Sequence, residues 1–125
     1  MDVPLQILLV EDNRFFQQLI SDFAESHGFG LQVAENGKIA IEKLQQQNFN
    51  LILMDVEMPE MDGYEATDFI RNQMPEFQDI PIIMITSHEH PQHATKSLLT
   101  GANSYLKKPF REDDLLKEIQ TLMIG

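Results

Sequence analysis

The apolar residues of this chain change their spacing repeatedly, and this alternation restricts the folds that the chain can adopt. Short, nearly continuous apolar runs are typical of strands that are buried on both faces of a sheet. Each run is followed by a stretch in which apolar residues recur every three or four positions, as they do on one side of a helix. The segments with strand character lie at 5–10, 31–33, 51–54, 80–85 and 104–106.

The stretches between and after these segments carry helix signals. Phe16, Ile20 and Phe23 recur at helical spacing, and Gly28 stands where that helix is expected to end. Pro91 suits the first turn of the fourth helix. Parallel strands need long crossover connections, and five strands alternating with five helices supply them. We therefore predict an α/β fold with a doubly wound, five-stranded parallel sheet and helices on both faces.

The composition excludes several classes of function. The 125 residues include 20 acidic and 9 basic side chains, and the formal net charge of −11 disfavours direct binding to nucleic acid or to an anionic membrane surface. The absence of cysteine excludes a disulfide framework, a thiolate metal site and a cysteine nucleophile. No apolar run is long enough to span a bilayer. We expect a cytoplasmic protein with one domain over residues 1–125.

Polar side chains interrupt the apolar pattern at the points where strands are expected to end. Glu11 and Asp12 directly follow the first strand, and Asp55 directly follows the third. Thr86 and Lys108 follow the fourth and fifth strands. Ligands bind a doubly wound sheet beyond the carboxyl ends of its strands, where the strand order reverses. In the order 2-1-3-4-5 that crevice lies between the first and third strands, so we expect all five side chains to converge there.

This convergence predicts a metal-dependent site for a phosphoryl group. Three acids in a partly desolvated cleft repel one another, and a hard divalent cation such as Mg²⁺ removes that cost. An ammonium group and a hydroxyl opposite the carboxylates suit the oxygens of a phosphoryl group. The alternative interpretation is that each acid only caps a helix or solvates the end of a strand.

Four motifs stand in a fixed order along the chain: an acid pair within 7–13, a single aspartate within 54–63, a hydroxyl within 83–87 and a lysine within 101–110. In this order they resemble the motifs of receiver domains in the response-regulator family of two-component signal transduction. The resemblance covers essentially the whole chain and implies the flavodoxin-like receiver fold with strand order 2-1-3-4-5. It also implies a phosphorelay switch that assists its own phosphorylation and dephosphorylation, and not a separate enzyme.

The resemblance assigns the phosphoryl chemistry to three catalytic residues. Asp55 would be the nucleophile that takes a phosphoryl group from a sensor histidine kinase or a histidine phosphotransfer protein, and it would become a 4-aspartylphosphate. Lys108 would pair with Asp55 and then with the phosphoryl group, whereas its neighbour Lys107 would be a solvated surface charge. Thr86 would donate a hydrogen bond to a phosphoryl oxygen.

A metal site is implied by the same resemblance. Mg²⁺, or Mn²⁺ in its place, would be bound by the carboxylates of Asp12 and Asp55 and by the backbone carbonyl of Glu57, and Glu11 would act directly or through water. The side chain of Glu57 stands at a position where the family tunes the lifetime of the phosphoryl group, and it would either repel or orient the attacking water.

The implied output is a conformational switch formed by Thr86 and Tyr105. The threonine would move toward the phosphoryl group, and the tyrosine would swing inward into the space that the threonine leaves. The surface altered would be the face of the fourth helix, the fifth strand and the fifth helix, where an effector or a dimer partner would bind.

Other interpretations stay open. The chain could be a complete single-domain regulator or a receiver from a longer regulator or a hybrid histidine kinase, in whose receivers the motif at 61–67 is common.

A metal-dependent aspartyl-phosphate phosphatase is a further alternative, because the triplet at 55–57 loosely resembles the nucleophile motif of such enzymes. In those enzymes, however, the nucleophile follows the first strand. His88, His90 and His93 suggest a transition-metal site only weakly, since no further ligand is evident.

Overall fold

The computed structural model describes residues 4–87 and 91–124, and in this part of the chain strands and helices alternate as predicted. The strands are β1 (Gln6–Val10), β2 (Gly30–Ala34), β3 (Leu51–Asp55), β4 (Ile82–Thr86) and β5 (Ser104–Lys107). The helices are α1 (Arg14–Ser26), α2 (Gly37–Gln46), α3 (Gly63–Gln73), α4 (Pro91–Thr100) and α5 (Glu112–Ile124). A short 3₁₀ turn at Pro75–Phe77 precedes β4.

The strands form one parallel sheet in the order β2-β1-β3-β4-β5, which confirms the predicted topology. Strand β1 lies between β2 and β3, so the strand order reverses beside β1. Because parallel strands all end at the same edge of the sheet, the residues that follow β1 and β3 are brought together at this reversal.

Alternate residues of the central strands face opposite sides of the sheet, and each side has its own hydrophobic core. On one side Ile7 of β1 packs in a cluster with Phe23 of α1 and Leu115 of α5. On the other side Leu8 of β1 belongs to a cluster that includes Ile70 of α3. Burial on both faces is the reason that the sequences of β1, β3 and β4 are continuous apolar runs.

Side-chain caps fix the start of three helices that follow strands. Asn13 caps α1 by accepting the N–H of Phe16, and Asn36 caps α2 in the same way. At the start of α3, Asp62 and Glu65 form a reciprocal capping box. These caps satisfy backbone donors that would otherwise lack partners.

The observed strands differ from the predicted ones by one or two residues at their ends, and the largest difference is at the start of β4. Strand β4 begins at Ile82, whereas the apolar pattern predicted a start at Ile80. Pro81 has no N–H for a ladder bond, although its carbonyl still accepts the N–H of Ile52 at 2.9 Å. Among the described residues, no helix combines the length and the apolar character needed to cross a membrane.

Candidate functional site

The carboxyl edge of the sheet gathers the polar residues that the sequence pattern indicated. Glu11 follows β1 directly, Asp55 is the last residue of β3, and Thr86 is the last residue of β4. Only 1%, 3% and 1% of the surfaces of these three residues are exposed. Asp12 is exposed beside them, and Lys108 extends its ammonium group toward them from the segment after β5. The structure therefore assembles the expected group of side chains from four separate segments.

The acid pair does not cap the first helix, so the capping interpretation is wrong for Glu11 and Asp12. Asn13 caps α1 instead, because its side chain accepts the N–H of Phe16 at 2.8 Å. Glu11 turns inward, and its Oε2 accepts the N–H of Asn13 at 3.0 Å while its Oε1 accepts a hydrogen bond from Lys108. The charge of Glu11 is therefore directed into the site.

Lys108 lies between the two buried carboxylates. Its Nζ donates to Oε1 of Glu11 at 2.6 Å and lies 3.7 Å from Oδ1 of Asp55. The same ammonium group lies 4.2 Å from the ring centre of Phe16, a distance at which a cation is attracted to an aromatic face. The family resemblance implies Asp55 as the partner of Lys108, and the structure adds Glu11 as the closer one. Lys107 is exposed, as the alternation of side chains along a strand predicts.

The electrostatic surroundings of Asp55 oppose its negative charge. Burial is the largest effect, followed by the charge of Glu11, and together they raise the pKa of Asp55 to about 8 against the partial compensation by Lys108. One ammonium group therefore does not balance the buried carboxylates. A further cation near Asp55 would favour its ionised form.

The arrangement of oxygens at the site fits a hard divalent cation. One carboxylate oxygen from each of Glu11, Asp12 and Asp55 lies within 4.8 Å of the other two. Oδ1 of Asp55 is buried and accepts no hydrogen bond, although buried carboxylate oxygens normally have a partner. Carboxylate oxygens supplemented by water are the ligands that Mg²⁺ prefers. Within the described residues this is the one group of acidic or histidine side chains that is close enough to hold an ion.

The sequence also suggested, weakly, a transition-metal site at the histidines around the start of α4. His88 and His90 lie outside the described residues, and so does the side chain of His93. A transition-metal site at these histidines therefore stays an untested hypothesis.

The side chain of Glu57 has a partner that the sequence reasoning missed. Its Oε1 accepts a hydrogen bond from Oγ1 of Thr86 at 2.6 Å, and its Oε2 accepts the N–H of Ser87 at 3.3 Å. The resemblance implies a carbonyl role for Glu57 in metal binding and an effect of its side chain on the attacking water, but no contact with Thr86. An acidic residue two positions after Asp55 and a hydroxyl at the end of the adjacent strand were the sequence signals for this contact.

Tyr105 lies on the outer strand of the sheet with 39% of its surface exposed. The register pairs it with Met84, two residues before Thr86. Because side chains alternate along a strand, Tyr105 and Thr86 point to the same side of the sheet. This placement is compatible with a switch that moves both residues.

Comparison with known proteins identifies the family. The model of the response regulator receiver domain matches residues 7–120. The chain is 34% identical over 124 residues to the CAI-1 autoinducer sensor kinase/phosphatase CqsS of Vibrio cholerae, an alignment that covers 94% of this chain and 18% of that protein. The chain thus spans less than a fifth of the length of this relative.

Solved structures with the same fold give the same result. The chemotaxis protein CheY4 of Vibrio cholerae has a TM-score of 0.90 and 31% sequence identity, with 96% of this chain and 99% of that chain covered. The receiver domain of the sensor histidine kinase PA1611 from Pseudomonas aeruginosa, with a magnesium ion coordinated in its active site cleft, has a TM-score of 0.89 and 33% identity, with 98% and 100% covered. The chain therefore belongs to the family of response regulator receiver domains, the phosphoacceptor modules of two-component signal transduction.

Proposed function

We propose that Asp55 is the phosphoacceptor of this receiver domain. The observation that supports this assignment best is the position of the Asp55 carboxylate at the end of β3, where Nζ of Lys108 lies 3.7 Å from its Oδ1 and Thr86 ends the neighbouring strand. A carboxylate nucleophile needs an oxygen lone pair that can attack phosphorus, together with positive charge and hydrogen-bond donors where the transferred oxygens arrive. In the transfer, an oxygen of Asp55 forms a bond to phosphorus while the bond to the donor imidazole breaks, which yields an acyl phosphate and a free histidine.

Two side chains of the site are proposed to hold the transferred group. Lys108 lies 3.7 Å from Oδ1 of Asp55 and can pair with a phosphoryl oxygen there, after loosening its contact with Glu11. Thr86 offers a hydroxyl at the end of the neighbouring strand. The role is that of a switch loaded by a donor, and the residues assist loading and release without turning over other substrates.

Glu11, Asp12 and Asp55, with the backbone carbonyl of Glu57, are proposed to hold Mg²⁺ or Mn²⁺. Two observations support this ligand set: the spacing of the three carboxylates, and the buried Oδ1 of Asp55, which accepts no hydrogen bond. The receiver domain of PA1611, which is similar to this chain, has a magnesium ion in its active site cleft. A divalent cation, when bound, neutralises charge on the oxygens of a transferring phosphoryl group.

Metal binding can be tested through stability. A ligand that binds only the folded protein raises the free energy of unfolding, by about 1.4 kcal/mol at a free concentration tenfold above its Kd. Millimolar Mg²⁺ is expected to raise the melting temperature of the wild type, and Asp12→Ala is expected to weaken that effect. If Mg²⁺ shifts neither melting curve, the metal-site proposal fails.

The phosphoacceptor function can be tested with acetyl phosphate and Mg²⁺. We expect the domain to gain one acid-labile phosphoryl group, detectable as a single added mass. The alternative, a phosphatase that uses an aspartyl phosphate, would release inorganic phosphate over many turnovers. It is less well supported, because here the carboxylate ends the third strand of the chain and not the first.

A groove beside the site is proposed as the surface on which the phosphodonor docks. Phe15 and Leu19 of α1 are 75% and 46% exposed. They line a cavity of about 380 Å³ together with Lys108 and Phe110. Because Lys108 borders both this cavity and the carboxylates, a protein seated in the groove would bring its phosphohistidine next to Asp55. We therefore assign the groove to a sensor histidine kinase or a histidine phosphotransfer protein.

If the groove binds the phosphodonor protein, changing its residues should affect phosphotransfer from a protein but not from a small molecule. Phe15→Ala and Leu19→Ala are expected to slow phosphotransfer from a histidine-phosphorylated protein, while uptake from acetyl phosphate stays unchanged. Phe69→Ala is a matched control, since Phe69 is also exposed but belongs to α3, which is part of neither proposed partner surface. Equal slowing with both donors would contradict a docking role.

The domain is proposed to comprise residues 1–125, either alone or within a longer protein such as a hybrid kinase, as in the sensor kinase that it resembles. A cytoplasmic location is proposed, because histidine kinases take their phosphoryl group from ATP and ATP is in the cytoplasm.

An effector or a dimer partner is proposed to bind the face of α4, β5 and α5, where Leu98, Leu99 and Tyr105 are exposed.

A further inference from the structure

The contact between Glu57 and Thr86 concerns the hydroxyl that the phosphorylated state is proposed to use. The distance of 2.6 Å between Oγ1 of Thr86 and Oε1 of Glu57 is that of a charge-assisted hydrogen bond. Ser87 adds its N–H to the second oxygen of the same carboxylate at 3.3 Å. One side chain of the loop after β3 thus binds two consecutive residues at the end of β4.

A hydroxyl has a single hydrogen and can donate it to one acceptor at a time. Thr86 is almost fully buried, so its hydroxyl cannot easily exchange this partner for water. A phosphoryl group on Asp55 that is to receive the Thr86 hydrogen bond must therefore displace Glu57. The two acceptors compete for the same proton.

Charge determines which acceptor prevails. Glu57 is close enough to Asp55 that its negative charge contributes to the raised pKa of that carboxyl. A phosphoryl group at Asp55 adds further negative charge at the same place, so it repels the Glu57 carboxylate while it attracts the Thr86 hydroxyl. Both effects break the same contact.

We propose that Glu57 is a latch that holds Thr86 in its unphosphorylated position and is released by the charge of the phosphoryl group. The inference rests on the proposed phosphorylation of Asp55 and gives the Glu57 side chain a hold on Thr86, which is distinct from the effect on the attacking water that the resemblance implies. The latch lowers the affinity of the site for a phosphoryl group, because each loading event must break the Glu57–Thr86 bond. A hydrogen bond to a charged group changes an equilibrium constant by roughly ten- to a hundredfold.

The test measures the affinity for beryllofluoride, a phosphoryl mimic, in the presence of Mg²⁺ by titration followed with nuclear magnetic resonance. Glu57→Ala removes both hydrogen bonds, and we expect it to bind beryllofluoride about tenfold or more tightly than the wild type. Glu57→Gln keeps a neutral acceptor for Thr86 and should lie in between. In both variants the Ser87 amide resonance of the unliganded protein should shift. Circular dichroism would verify that each variant is folded.

Glu60→Gln is the matched control for charge. Glu60 is exposed on the same loop, so this variant removes one negative charge of the loop without breaking the contact at Thr86. Its affinity for beryllofluoride should stay within about twofold of the wild type, because exposed charges are screened by solvent.

A double-mutant cycle separates the latch from a simple charge effect. In a Thr86→Ala background the donor is absent, so adding Glu57→Ala should no longer raise the affinity. If Glu57→Ala raises it equally in both backgrounds, or matches Glu60→Gln in the wild-type background, the latch is wrong. A wild-type protein that binds no beryllofluoride would instead overturn the proposed function of Asp55.

Discussion

At the scale of single residues, Asp55 combines two properties that oppose each other. It is buried at the end of a central strand, and a nucleophilic carboxylate must be ionised. Burial disfavours the ionised form, and the neighbouring Glu11 disfavours it further. The position therefore carries an energetic penalty in the metal-free protein, and the penalty is relieved by a cation or by removal of the charge.

Asp55→Asn should abolish phosphorylation and stabilise the fold. Asparagine has nearly the same volume but forms no acyl phosphate, and it is neutral without taking up the proton that buried Asp55 needs on folding. We expect the mass gained from acetyl phosphate to fall from one phosphoryl group to none. The free energy of unfolding at neutral pH without metal should rise by about 1 kcal/mol or more. Stoichiometric phosphorylation of this variant would place the nucleophile at another residue.

The raised pKa of Asp55 predicts a pH dependence of stability. The pKa rises from 3.8 to about 8 on folding, so between these values the folded protein keeps a proton that the unfolded chain has lost. The free energy of unfolding should therefore fall as the pH rises through this window and become level above it. Urea unfolding of wild type and Asp55→Asn in a chelator would measure this, as the difference between them should grow from pH 4 to pH 8. A constant difference would contradict the prediction.

At the scale of elements, the loop between β3 and α3 is held close to the backbone of Asp55 by Gly63. The N–H of Gly63 donates to the carbonyl of Val56 at 3.0 Å. A Cβ at Gly63 would collide with the backbone carbonyl of Asp55 and would lie 2.9 Å from Cα of Val56. Glycine at this position thus lets the first turn of α3 pack directly on the backbone of the site.

Gly63→Ala should therefore destabilise the domain and disturb the site. The added methyl group meets backbone atoms that cannot rotate away, and overpacking of this kind costs about 1–3 kcal/mol. Urea unfolding should show the loss of stability. Mg²⁺ should add less stability than in the wild type, because a shift of the Asp55 backbone also moves its carboxylate, a proposed metal ligand. Gly28→Ala is a useful comparison, since Gly28 has a φ of +72° but open space around its Cα; it should cost stability without changing the response to Mg²⁺.

At the scale of the whole molecule, the site is connected to the face of α4, β5 and α5 by two adjacent strands, β4 and β5, whose carboxyl ends lie at the site. Thr86 ends β4, and the register places Lys107 beside it and Tyr105 two residues earlier. A movement of Thr86 toward Asp55 would open space on the side of the sheet that Tyr105 shares. Two packings of this group, separated by a few kcal/mol, are sufficient for a charge at Asp55 to shift the population between them.

Thr86→Ala should uncouple this face from the site. The variant keeps Asp55 and Lys108, so we expect phosphorylation at Asp55 to persist. Addition of beryllofluoride to the wild type should change chemical shifts on α4, β5 and α5, and in Thr86→Ala those changes should be confined largely to the residues around Asp55. Equal propagation in both proteins would show that the coupling does not pass through Thr86.

The elements and the edge of the sheet that carries the site follow from the sequence because both depend on local spacing. The apolar runs of β1, β3 and β4 predict strands buried on two faces, and acids placed directly after two of them predict a polar crevice. Spacing does not reveal exposure, however. Leu19 continues the helical spacing of Phe16 and Phe23, yet it is nearly half exposed because it borders the groove beside Phe110.

The partners of the charged groups depend on the tertiary structure. The sequence places Lys108 and Glu57 near Asp55, but it does not show that the shorter contact of Lys108 is with Glu11 or that Glu57 accepts the hydrogen bond of Thr86. These contacts join residues far apart in the chain, and differences of about 1 Å decide between them. Local spacing fixes which face a side chain occupies, whereas such distances arise only when the strands, loops and helices are packed together.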